Sequence, residues 1–166
     1  MNRVAFRALV KLQQTEVLSP LRAHLLRGAG VKIGNNSSIG SGVNILTSRL
    51  TLGDNVRIGV GSRINNYAQI EVGEWVRMGS EVHLETATHK IIKTGPYRRT
   101  TGDEIYKPII IERGCMIYAR VMILPGVVIR EGCVIGAGSI IDRSTEKNGL
   151  YVGIRPREPL YTYPGE

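Results

Sequence analysis

An aliphatic side chain returns at every sixth position through most of this chain. Ile33, Ile39 and Ile45 are followed by Leu52, Ile58 and Ile64, then Val72, Met78 and Leu84, and finally Ile111, Ile117, Ile123, Ile129, Ile135 and Ile141. Gly often comes next and a small residue commonly stands four places on. So short a fixed period is the signature of a parallel β-helix, in which each unit supplies one inward apolar side chain and a turn, and stacked coils close the core. A mainly β solenoid of single-strand coils is therefore expected before any function is considered.

The chain has 166 residues, enough for one such solenoid with short ends. Its single Phe and single Trp would be poor for a globular core but suit a narrow prism filled by Ile, Val and Leu. The formal charge of +8 asks for an anionic partner. Nucleic acid is disfavoured, because the basic residues are scattered and no base-stacking platform accompanies them. No apolar run approaches bilayer length and the start lacks a signal peptide's apolar core, so a cytoplasmic protein is expected. Cys115 and Cys133 are 18 residues apart, which in a coil of three hexapeptides stacks them facing inward as core residues rather than as a disulfide or metal framework.

The spacing divides the chain into three parts. Residues 1–30 lie outside the repeat. Arg3, Arg7 and Lys11 beside Phe6, Leu9 and Val10 describe a basic amphipathic helix, and Ser19-Pro20 with Gly28 and Gly30 bracket a second short one. These helices are expected to plug the open end of the solenoid, with peripheral binding at the inner face of a membrane as a further role for the basic stripe. Residues 31–141 carry the coils, with one extra residue between Ile45 and Leu52 and two between Ile64 and Val72. Within them, 90–107 has no period and holds Gly95, Pro96 and Gly102, which predicts a projecting loop. Residues 142–166, with Pro156, Pro159 and Pro164, read as an extended tail.

A solenoid is a scaffold, so function must come from a site. Of the three histidines, His24 lies in the second helix and His83 follows the core residue Val82. His89 ends the last regular coil where the loop departs, a place for an imidazole working as a general base. The stretches Ile64-Asn65-Asn66-Tyr67-Ala68-Gln69-Ile70-Glu71-Val72-Gly73-Glu74, Leu84-Glu85-Thr86-Ala87-Thr88-His89, Lys107-Pro108-Ile109-Ile110-Ile111-Glu112-Arg113-Gly114, Ile123-Leu124-Pro125-Gly126-Val127 and Ile135-Gly136-Ala137-Gly138-Ser139 together resemble the hexapeptide-repeat O-acetyltransferases. The galactoside, maltose, streptogramin and exopolysaccharide-biosynthesis enzymes are of this kind. The likeness covers about residues 20–157.

That resemblance implies a left-handed β-helix assembled as a homotrimer, with acetyl-CoA lying between neighbouring prisms and no metal. It implies His89 as the general base that takes the proton of a sugar hydroxyl, in surface polysaccharide synthesis. Asn65, Asn66, Glu85 and the loop's Tyr97 are the candidates for holding the acceptor, and Glu85 also for orienting the imidazole. Tyr118, Ala119, Gly136 and Ala137 would form the wall along which pantetheine lies, since small residues admit a ligand to the backbone. Two departures stand out. Tyr118 replaces the family's usual Gly, and Gly153-Ile154-Arg155-Pro156-Arg157 replaces Gly-Asn-Pro-Ala, which makes Arg155 and Arg157 the candidate phosphate partners. Rival readings are a zinc enzyme of the γ-carbonic anhydrase type, which lacks a third histidine on the prism, a non-catalytic docking platform, and an acetyltransferase whose acceptor is an antibiotic or an amino sugar.

Overall fold

The computed structural model describes residues 22–91, 102–154 and the backbone of 161–162. Three parallel sheets form the faces of a prism. The first contains β1 (Lys32–Ile33), β4 (Leu50–Leu52), β7 (Ile70–Val72), β12 (Ile109–Ile111) and β15 (Val128–Ile129). The second contains β2 (Ser38–Ile39), β5 (Arg57–Ile58), β8 (Arg77–Met78), β13 (Met116–Ile117), β16 (Val134–Ile135) and β18 (Gly149–Tyr151), with β19 (Tyr161–Thr162) added antiparallel at its edge. The third contains β3 (Asn44–Ile45), β6 (Arg63–Asn65), β9 (His83–Glu85), β14 (Met122–Ile123) and β17 (Ile140–Ile141). The chain visits the faces in turn, so the six-residue beat is one face and its corner.

The repeat aliphatics are the core. Each is buried except Ile33, which is partly buried and packs on the same cluster. In register they stack coil on coil, as Leu52↔Val72, Val72↔Ile111 and Ile111↔Ile129 do on the first face. The small partner two places earlier also points inward, and this places Cys115 and Cys133 in adjacent coils, both buried and free. Their thiols donate to the carbonyls of Arg130 (3.0 Å) and Glu146 (2.9 Å), and burial pushes Cys115 up to about 12. At the first end, α1 (Arg22–Gly28) inserts Leu26 into the core while Arg27 donates to the carbonyls of Ile33 and Gly34. Residues 1–21, including Ser19 and Pro20, lie outside the described residues.

The corner after the third face is where the extra residues fall, and it is closed by side chains. Thr47 donates its N–H to Asn66 Oδ1 (2.9 Å), Asn66 Nδ2 donates to Thr47 O (2.8 Å), and Thr86 Oγ1 donates to Asn65 O (2.7 Å). Inserted backbone groups that would miss the ladder are thereby satisfied.

Two expected boundaries change. The coils do not end at Ile141: β18 pairs with β16 in register Ile135↔Tyr151, and a buried Tyr151 takes the place of the aliphatic, which hides the repeat from a search for branched residues. The segment 90–107 is not wholly a loop. Its described end forms β11 (Glu104–Tyr106), which pairs antiparallel with β10 (Ala87–His89), so a β-hairpin arm leaves the prism there. Among the described residues no helix is long and apolar enough to cross a membrane.

Candidate active site

The hairpin arm carries His89 and supplies its partner. Pairing sets His89 opposite Glu104, and the N–H of Lys90 donates to Asp103 O at 2.9 Å. This register brings Asp103 Oδ1 to 3.2 Å from His89 Nδ1. The imidazole is 42% exposed, whereas the Asp103 side chain is only 5% exposed. A carboxylate behind Nδ1 fixes the tautomer in which Nδ1 bears the proton and leaves Nε2 to accept one, which is how a general base is oriented. Tyr106 stacks on Tyr67 of the prism, with centroids 5.6 Å apart and planes at 29°, and so ties the arm to the coil of Asn65.

Glu85, expected beside His89, is engaged elsewhere. Its Oε2 accepts from Asn65 Nδ2 at 2.8 Å and lies 3.6 Å from His83 Nε2, while Oε1 accepts the N–H of Ala87 at 2.9 Å. Asn65 Nδ2 also lies 3.1 Å from His83 Nε2. Glu85 thus orders Asn65 and His83 and anchors the start of β10. Asp103, which the sequence reading did not single out, holds His89. Asn66 is corrected too: it is fully buried and its amide is committed at both ends to Thr47, so its place is in the corner ladder. Beyond His83 the surface sinks into a cavity of about 480 Å³ lined by Gly61, Arg63, Glu81, His83, Arg120 and Met122, in which Arg120 is paired to Glu81 at 3.0 Å.

Tyr118-Ala119 and Gly136-Ala137 stack in adjacent coils at the corner between the second and third faces. The N–H groups of Tyr118 and Gly136 serve the ladder, donating to Ile135 O and Tyr151 O at 2.9 and 2.8 Å. Those of Ala119 and Ala137 have no acceptor among the described residues, and both lie at the surface. Two free donors one coil apart along a row of small side chains can receive the carbonyls of an extended ligand or a developing oxyanion. The side chain of Tyr118 is half exposed at the edge of this row. Tyr97, Arg155 and Arg157 lie outside the described residues.

For a metal, the ligand atoms of His89, Asp103 and Glu104 lie within 4.8 Å of one another. They offer one imidazole, not three. His24 is exposed on α1 and His83 is held by Asn65, so among the described residues no three-histidine zinc set forms.

Residues 108–143 match the family described as bacterial transferase hexapeptide (six repeats). A galactoside O-acetyltransferase of Lactococcus lactis is 32% identical over 152 residues, spanning 87% of this chain and 70% of that protein. A colanic acid biosynthesis acetyltransferase of Escherichia coli K12 is 31% identical over 145 residues, spanning 87% of this chain and 76% of that protein. An acetyltransferase of Schizosaccharomyces pombe is 40% identical over 93 residues, and this chain spans only 43% of its length. A hexapeptide-repeat acetyltransferase of Vibrio cholerae, solved with acetyl coenzyme A, superposes with a TM-score of 0.82 at 25% identity, over 91% of this chain and 81% of that one.

Proposed function

We propose that this chain, which belongs to the hexapeptide-repeat O-acetyltransferases, moves the acetyl group of acetyl-CoA onto a sugar hydroxyl in the synthesis of a surface polysaccharide, with His89 as the base. The observation that carries the reading is the His89–Asp103 pair, an exposed imidazole with a buried carboxylate behind its Nδ1 at 3.2 Å. A sugar hydroxyl is a poor nucleophile at neutral pH until a base stands within hydrogen-bond reach.

In the proposed step His89 Nε2 removes the hydroxyl proton as the oxygen attacks the thioester carbonyl carbon. The free N–H groups of Ala119 and Ala137 are the candidate donors to pantetheine carbonyls or to the oxyanion. The tetrahedral centre collapses with cleavage of the C–S bond, and the imidazolium returns its proton to the departing thiolate. An ester and free CoA result, with no acyl-enzyme. Asn65, ordered by Glu85, would bind the acceptor beside the arm, and the stacked Tyr106 of the arm and Tyr67 of the prism suit a sugar face. Tyr97 is proposed as a further acceptor contact, and Arg155 and Arg157 as contacts to the cofactor's phosphates. A homotrimer in the cytoplasm, with the donor between subunits, belongs to the same proposal.

The test is thiol release from acetyl-CoA in the presence of sugars, nucleotide sugars and oligosaccharides, with the product examined by NMR. An acceptor-dependent O-acetyl ester supports the reading. Acetylation confined to amines would replace it with N-transfer, and acetyl-CoA binding without turnover on any acceptor would contradict it.

A further inference from the structure

At the corner between the first and second faces, one position in every coil takes the left-handed conformation. Its occupants are Asn36 (φ 56°), Asn55 (58°), Trp75 (60°), Gly114 (69°), Gly132 (70°) and Asn148 (57°). Asn and Gly enter that region readily, whereas a bulky side chain there is an outlier that the surroundings must hold in place. Trp75 is also the only Trp of the chain and is 61% exposed, so no core packing explains it. A Cβ placed on Gly114, one coil on, would meet nothing within 4 Å, so the space on that side is open.

The second observation lies two residues along. Arg57 and Arg77 are in register on the second face, both exposed, on strands about 4.8 Å apart. Among the described residues neither guanidinium has a hydrogen-bond or ion-pair partner. The outward row of this face runs Ser38, Arg57, Arg77, Met116, Val134, Leu150 and contains no carboxylate. Like charges set directly opposite one another destabilise a sheet, and among the described residues nothing on this face offsets them.

We propose that Arg57, Arg77 and Trp75 form a binding site for a diphosphate-bearing ligand, the two guanidiniums taking the phosphates by paired N–H···O bonds and Trp75 covering the adjoining ring. The site lies on the second face, whereas the hairpin arm follows the third; with coenzyme A as the ligand it rests on the acetyl-transfer reading. Two sources carry a diphosphate next to a ring: a nucleoside-diphosphate sugar, and coenzyme A itself.

Trp75 reports on the site without a label. Inorganic pyrophosphate, UDP-glucose, coenzyme A and uncharged uridine are titrated at constant ionic strength against the whole chain, followed by Trp emission and by calorimetry. Saturable binding of the diphosphates but not of uridine is expected, with Arg57→Gln and Arg77→Gln each weakening it at least tenfold. Preference for UDP-glucose or for coenzyme A identifies the source. Neutralising either Arg should also raise Tm, by roughly 2 °C, because it relieves repulsion. Absence of both heat and emission change at millimolar ligand, unaltered affinity in both variants, or a lowered Tm would overturn the proposal. So would dissociation of the oligomer in Trp75→Ala, which would give this corner to a subunit contact.

Discussion

Replacing Asp103 by Asn keeps the shape of the side chain and removes its charge, which isolates what the carboxylate does for His89. When Nε2 accepts the acceptor's proton the ring becomes an imidazolium whose Nδ1–H faces Asp103 Oδ1 at 3.2 Å. Unit charges at that separation interact by about 5 kcal/mol at an effective dielectric of 20. The ring is 42% exposed, so water screens part of this, and the usual worth of a hydrogen bond between charged groups, about 1.5–3 kcal/mol, is the better scale. At about 1.4 kcal/mol per decade, kcat should fall roughly 10- to 150-fold. KM for acetyl-CoA should hold, because Asp103 stands behind the imidazole rather than against the donor. The assay is thiol release at saturating donor and acceptor, on protein whose circular dichroism and oligomeric state are unchanged. In the double variant with His89→Ala the Asp103 substitution should cost nothing further, since both changes disable one unit. A single variant within twofold of the parent, or full additivity in the double variant, would refute the coupling.

Other perturbations follow from the same geometry. Tyr67→Ala removes the stack with Tyr106, worth about 0.5–1.5 kcal/mol, so amide exchange in β10 and β11 should quicken and kcat drop several-fold while Tm barely moves. Gly59→Ala would drive a Cβ into the Gly79 carbonyl of the next coil, and the strain of such a contact, about 1–3 kcal/mol, should lower Tm by at least about 3 °C in a thermal melt. Burial raises the Cys115 thiol from 9.0 to about 12, so the unfolded chain loses this proton at lower pH than the folded one. Its contribution to stability is therefore intact below pH 9 and is lost as pH climbs from 9 to 12, which denaturant titrations across that interval should register and a Cys115→Ala variant should not.

The core was legible because its period is short and its side chains are uniform: Ile111, Ile117, Ile123, Ile129 and Ile135 announce the prism one by one. Legibility failed where another residue type does the same work. Tyr151 fills the core as an aliphatic would, so the last coil read as a tail. At the site, His89 could be found because it stands where the beat breaks. Asp103 could not, because its contact arises from hairpin register across a sequence separation of 14, and register is not a property of local sequence. A faint signal existed in Glu104-Ile105-Tyr106, whose alternation marks a strand just before Lys107-Pro108. Asn65 and Asn66 looked equivalent as neighbours, yet one step along an extended chain reverses the side chain. That step sends Asn65 toward Glu85 and His83, and Asn66 into the buried corner.

The central claim is that His89 carries the proton in direct transfer of acetyl from CoA to the acceptor. Radiolabelled acetyl-CoA, mixed with the chain and its best acceptor and quenched over time, tests it most directly when the parent and His89→Ala are compared at equal oligomeric state. The account predicts label appearing in the acceptor ester and never on protein, with the variant slower by about 10²- to 10⁴-fold. Label passing through the protein, or a variant that transfers at the parental rate, would contradict it.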